Sequence, residues 1–92
     1  MRTSSSELAA DARRAEERRA DARLVTLAAE SATRLERACA DWPPARVHAL
    51  VFDIAFAKLR AELPSADFDH LRARYERHPE AYAARLTAVA AD

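Results

Sequence analysis

None of the 92 residues is glycine. Glycine enters positive-φ backbone without steric cost, so its absence closes nearly every two-residue hairpin turn and disfavours a β-sheet protein. Only four strong breakers are left, Pro43, Pro44, Pro64 and Pro79. Between them the alphabet is dominated by Ala, Leu, Arg and Glu, which lose least on entering a helix. The expected fold is therefore all-α: a long N-terminal helix followed by two or three shorter helices packed as a small bundle.

The first segment is the longest. Ser4-Ser5-Ser6-Glu7 has the form of a capping box, with Ser4 as cap and Glu7 reaching back to it. Nothing then interrupts a helix until Asp41-Trp42-Pro43-Pro44, and about 36 residues would make a rod of roughly 54 Å. A compact chain of this length has a radius of gyration of about 12 Å, so one end of the rod must overhang. The pattern says which end. Leu24, Leu27, Ala28, Ser31, Leu35, Ala38, Cys39 and Trp42 recur at three- and four-residue steps, a stripe that a core can use. Residues 11–23 read DARRAEERRADAR, nine charged side chains and four alanines, with Leu8 the one large apolar residue between Met1 and Leu24. Residues 1–23 are thus expected to form a charged helical arm, whether solvated, frayed or paired with a partner along an alanine seam. Residues 24–92 form the bundle domain.

A second helix is expected to start in the Pro43-Pro44 pair, with Asp41 as cap, and to run to about Leu63. At 100° per residue Val47, Leu50, Val51 and Ile54 fall on one side of it, and Phe52, Phe56, Leu59 and Leu63 on the other. Such a helix is sandwiched. The first face is expected to meet the Leu24 to Trp42 stripe as core. The second is expected to be covered only in part by Phe68, Leu71 and Tyr75, leaving Phe52 and Phe56, with Tyr82 and Leu86, as a contact surface for a partner. The last segment, with Ser65 or Asp67 as cap, carries an apolar register from Phe68 to Val89 straight through Pro79. That register fits one kinked helix or two short ones.

Fifteen basic residues balance fifteen acidic ones, so the whole chain has no field to steer it toward nucleic acid or membrane. Two local clusters are basic: Arg13, Arg14, Arg18, Arg19 and Arg23, and then His70, Arg72, Arg74, Arg77 and Arg85. The second follows a short turn, as a recognition helix does. Asp11, Glu16, Glu17 and Asp21 interleave with the first, the pattern of a solvated helix face held by neighbouring ion pairs. A lone cysteine, Cys39, has no internal disulfide partner and is expected to act as a small buried hydrophobe. The histidines are His48, His70 and His78, and the spacing of Asp67 and His70 occurs once where a dinuclear carboxylate bundle needs it twice. No metal, cofactor or small-molecule ligand is expected. Asp53 and Glu62 are expected to solvate the rim or pair with an arginine of a neighbouring helix.

The opening MRTSSSELAADARR lacks the apolar core of a signal peptide. No apolar run approaches the roughly 18 residues of a membrane span, so a cytoplasmic protein is expected. The functional expectation is a non-enzymatic helical interaction module, such as an adaptor, assembly factor, inhibitor or small subunit, whose partner is another protein or a second copy. The alternative is a small DNA- or RNA-binding regulator using the arginine clusters.

Overall fold

All four prolines sit at helix starts. The computed structural model describes residues 5–91, with the side chains of residues 7–89. It consists of α1 (Ser5–Leu35), α2 (Pro44–Glu62), α3 (Ser65–Arg77) and α4 (Pro79–Ala91). Among the described residues there is no strand and no positive φ, in keeping with a chain that has no glycine. The expected Ser4 cap lies outside the described residues.

The helix ends differ from the expectation in ways that proline explains. Instead of continuing to Asp41, α1 stops at Leu35, and residues 36–42 wind a turn. In it the Cys39 N–H donates to the Leu35 carbonyl (2.9 Å) and the Trp42 N–H to the Cys39 carbonyl (3.0 Å). Trp42 precedes Pro43 and is disfavoured in helical backbone, so the reversal has to begin upstream of it. Asp41 does not cap α2. Pro43 holds that position with its carbonyl accepting from the Arg46 and Val47 N–H groups (3.0 and 3.2 Å), and Pro44 opens the helix. Neither Ser65 nor Asp67 caps α3, because Pro64 takes the place in the same extended conformation and Ser65 is already helical. Proline's fixed φ suits such a position, and its missing N–H is one the helix would leave unpaired.

At Pro79 the chain makes two helices rather than one kinked rod. Proline inside a helix would clash with the carbonyl of Tyr75, four residues back. The chain leaves helical geometry at His78 (φ −138°, ψ 54°), whose N–H closes α3 on the Arg74 and Tyr75 carbonyls (3.1 and 3.2 Å).

The break lets α4 fold back, and this decides the core. Leu24, Val25, Leu27 and Ala28 of α1 meet Val51, Phe52, Ala55, Phe56 and Leu59 of α2, Leu71 of α3, and Tyr82 and Leu86 of α4. The five α2 residues span an arc of about 140° at 100° per residue, so α2 buries one broad face and is not sandwiched. Val47 and Leu63 pack at the edges of the core, whereas Leu50 and Ile54 are only half-buried. The expected division between the two faces does not hold, because Val51 of the first is buried together with Phe52, Phe56 and Leu59 of the second. Tyr75 is the centre of an aromatic cluster, with its ring 5.0 Å from Phe52, 5.3 Å from Phe56 and 5.6 Å from Tyr82, and Phe56 stands 5.8 Å from Phe68.

The shape records the overlong first helix. The radius of gyration is 15.3 Å and the extents are 57 × 26 × 20 Å, against about 12 Å for a compact chain of this length. Among the described residues no helix is long and apolar enough to cross a membrane.

Candidate interaction surface

Large apolar side chains of α1 begin to be buried at Leu24, with Ala20 packed at the margin of the core. Upstream, the side chains from Glu7 to Arg19 are exposed except the half-buried Ala10 and Ala15, and Leu8 is 59% exposed. This stretch is a charged helix whose side chains lie largely in solvent.

Polar contacts fix α1 at the point where it leaves the core. The Asp21 carboxylate takes two hydrogen bonds on one oxygen, from the Arg74 guanidinium (3.0 Å) and the Tyr82 hydroxyl (2.8 Å). The Asp21 and Arg74 side chains are only 19% and 20% exposed. Burial acts to lower the pKa of Arg74, but the hydrogen bond and charge of Asp21 outweigh it and hold the group above its ordinary value. Burial, and then the bond to Asp21, raise the Tyr82 phenol as well. Glu17 lies 4.0 Å from Arg74 on the outer side. Closer to the core, Arg23 grips both oxygens of Glu62 (3.1 and 3.2 Å), which raises the arginine and lowers the carboxylate. The boundary expected between residues 23 and 24 therefore falls inside a bonded region. The bonds that tie α1 to α2, α3 and α4 begin at Glu17.

Between the arm and the start of α3 lies an open cavity of about 450 Å³. Arg13, Glu17 and Ala20 form one wall, and Leu63, Asp67 and His70 the other. Both signs of charge line it, with Ala20 on one wall and Leu63 on the other, and Arg74 completes the lining. Asp67 and His70 thus share a groove, but among the described residues no group of three or more His, Cys, Asp or Glu side chains is placed to hold a metal ion.

The residues singled out in the sequence are distributed as follows. Phe52, Phe56, Tyr82 and Leu86 are 1%, 3%, 6% and 3% exposed. The contact surface expected of them is corrected to interior, because the turn at Pro79 brings α4 onto α1 and α2. Of the first arginine cluster, Arg13, Arg18 and Arg19 are exposed on the arm, and Arg14 pairs with Asp11. Of the second, Arg72 bonds Glu76 (2.8 Å), lies 3.7 Å from Asp53 and covers the Phe56 ring at 4.8 Å. Arg74 is held by Asp21, while Arg77 and Arg85 are exposed. Asp53 and Glu62 each pair with an arginine of another helix, and Cys39 is buried. Sequence reasoning missed the Asp21, Arg74 and Tyr82 triad, whose members lie 53 and 61 residues apart. No protein family, curated protein or solved structure matches the chain.

Proposed function

We propose that this chain is a non-enzymatic helical interaction module that docks a partner, either another protein or a second copy, along the arm of α1 and the groove between that arm and α3. The observation carrying this reading is an α1 whose side chains from Leu8 to Arg19 are exposed except the half-buried Ala10 and Ala15, next to a groove of about 450 Å³ with mixed charge and two apolar side chains. An isolated helix of this length is marginal in water. A partner laid in the groove would cover Ala20 and Leu63, stabilise the arm and find both signs of charge to pair with. The bundle beneath serves as the rigid base, and the Asp21 triad with the Arg23–Glu62 pair sets the angle at which the arm leaves it.

The nucleic-acid reading stands second. Arg14, Arg72 and Arg74 are each engaged by a carboxylate, which leaves no continuous cationic track for a phosphate backbone. The test is association. The intact chain retains a defined protein partner or sediments as a dimer, and a form lacking residues 1–16 does neither while remaining folded.

A further inference from the structure

At the elbow between α3 and α4 lies a second concavity, of about 380 Å³, lined by Arg74, Arg77, His78, Ala81, Tyr82 and Arg85. Four of its six lining residues are basic and none is acidic, in a chain whose charges balance. The periodicity of the two helices builds it. Arg74 and Arg77 share one face of α3, Ala81, Tyr82 and Arg85 share one face of α4, and the break at His78 between them folds the faces toward each other.

The charges around the elbow divide into engaged and free. Asp21 holds the inner edge of Arg74 and the Tyr82 hydroxyl, with Glu17 at 4.0 Å from Arg74 and Glu80 at 4.0 Å from His78. Among the described residues no carboxylate lies within ion-pair distance of Arg77 or Arg85. The Nε of Arg74, a residue that lines this concavity, is buried without a hydrogen-bond acceptor. The N-terminus of α4 opens at the same elbow, and its dipole favours an anion there.

We propose that the α3–α4 elbow binds a small phosphomonoester, whose phosphate oxygens are taken by the guanidinium groups of Arg77 and Arg85. Guanidinium matches phosphate with paired donors, and two of them not neutralised by carboxylates form a receptor for a compact dianion. The volume exceeds what a bare phosphate fills and falls in the range of small-molecule pockets. The ligand therefore carries an organic body, which lies against Ala81. A nucleic-acid strand would need cations repeated along its backbone, and the remaining arginines of α3 are engaged elsewhere.

The elbow shares Arg74 with the arm's groove, but Arg77 and Arg85 line the elbow alone, and the test uses the full chain. Phenyl phosphate and inorganic phosphate are titrated while the backbone amides are followed by NMR. The expected result is saturable binding with shifts concentrated between Arg77 and Arg85, the ester binding more tightly than phosphate. Arg77→Ala and Arg85→Ala should each weaken it by about tenfold, the loss of one charge-assisted contact, whereas Arg37→Ala, in the exposed turn after α1, should change nothing. Both elbow arginines are exposed, so the variants should fold. Absence of saturation, or equal losses in all three variants, would overturn the proposal. Binding of phosphate as tightly as the ester would refute an organic ligand. An oligonucleotide occupying the same amides at a thousandfold lower concentration would assign the elbow to nucleic acid instead.

Discussion

Asp21→Ala removes the carboxylate on which α1, α3 and α4 converge. It deletes the bonds from Arg74 (3.0 Å) and Tyr82 (2.8 Å) and leaves both donors partly buried. A hydrogen bond to a charged group contributes about 1.5–3 kcal/mol. Two would give more, but each end of the Asp21–Arg74 pair is about a fifth exposed and Glu17 stays near enough to hold part of the arginine's charge. A gross loss of about 2–3 kcal/mol follows, and alanine's better helix propensity offsets roughly 0.6 of it. The net cost is about 2 kcal/mol, which lowers the melting temperature of a domain this size by roughly 8–16 °C. Asp21→Asn keeps an acceptor for Tyr82 and loses only the charge, and Tyr82→Phe loses only the neutral donor, so each should cost about half as much. Thermal unfolding followed by circular dichroism on the three variants is the assay. An Asp21→Ala chain that melts with the wild type, or a Tyr82→Phe chain that loses as much as Asp21→Ala, would refute the view that this carboxylate joins the arm's root to the bundle.

Two further outcomes follow from burial. Phe52→Ala should cost about 3–5 kcal/mol as a core cavity, and Leu50→Ala, half-buried and outside the packed cluster, less than about 1.5; denaturant melts giving equal losses would contradict the single buried face of α2. Burial raises both the Tyr75 and Tyr82 phenols, so above the unfolded tyrosine value of about 10 the folded chain keeps protons that the unfolded chain releases. Stability is then full below that value and falls as pH rises toward the folded pKa values, and Tyr82→Phe should flatten the decline; a pH–stability curve level from 9 to 11 would refute this.

The all-helical fold was legible because it follows from local chemistry. Missing glycine, alanine-rich segments and four prolines fix where helices run, although the register through Pro79 fits one kinked helix as well as the two that form. What the sequence hid are choices made by tertiary packing. Leu50 and Phe52 are both large and apolar and differ by 200° around α2, so periodicity alone could not say which face meets the core. The answer depended on Pro79, which sends α4 back and buries Tyr82 and Leu86, two residues whose spacing equally suits an outer contact. Asp21 reads as one acid in a charged run, and its role depends on partners in α3 and α4 that helical spacing cannot supply. The groove has the same origin, since Ala20 and Leu63 become neighbours only after α2 has packed. The overhang of α1 was legible in outline, from helix length set against domain size.

The central claim is that the arm engages a partner and is not needed for folding. Its most direct measurement compares the intact chain with a form lacking residues 1–16, which keeps Glu17, Ala20, Asp21 and every buried residue of the core. Each is melted by circular dichroism and its association measured, by sedimentation for a second copy and by co-purification from the native host for another protein. The account predicts melting temperatures within a few degrees of each other and loss of the partner or dimer in the shortened form. A shortened chain that no longer unfolds cooperatively, or one that retains the same partner with the same affinity, would contradict it.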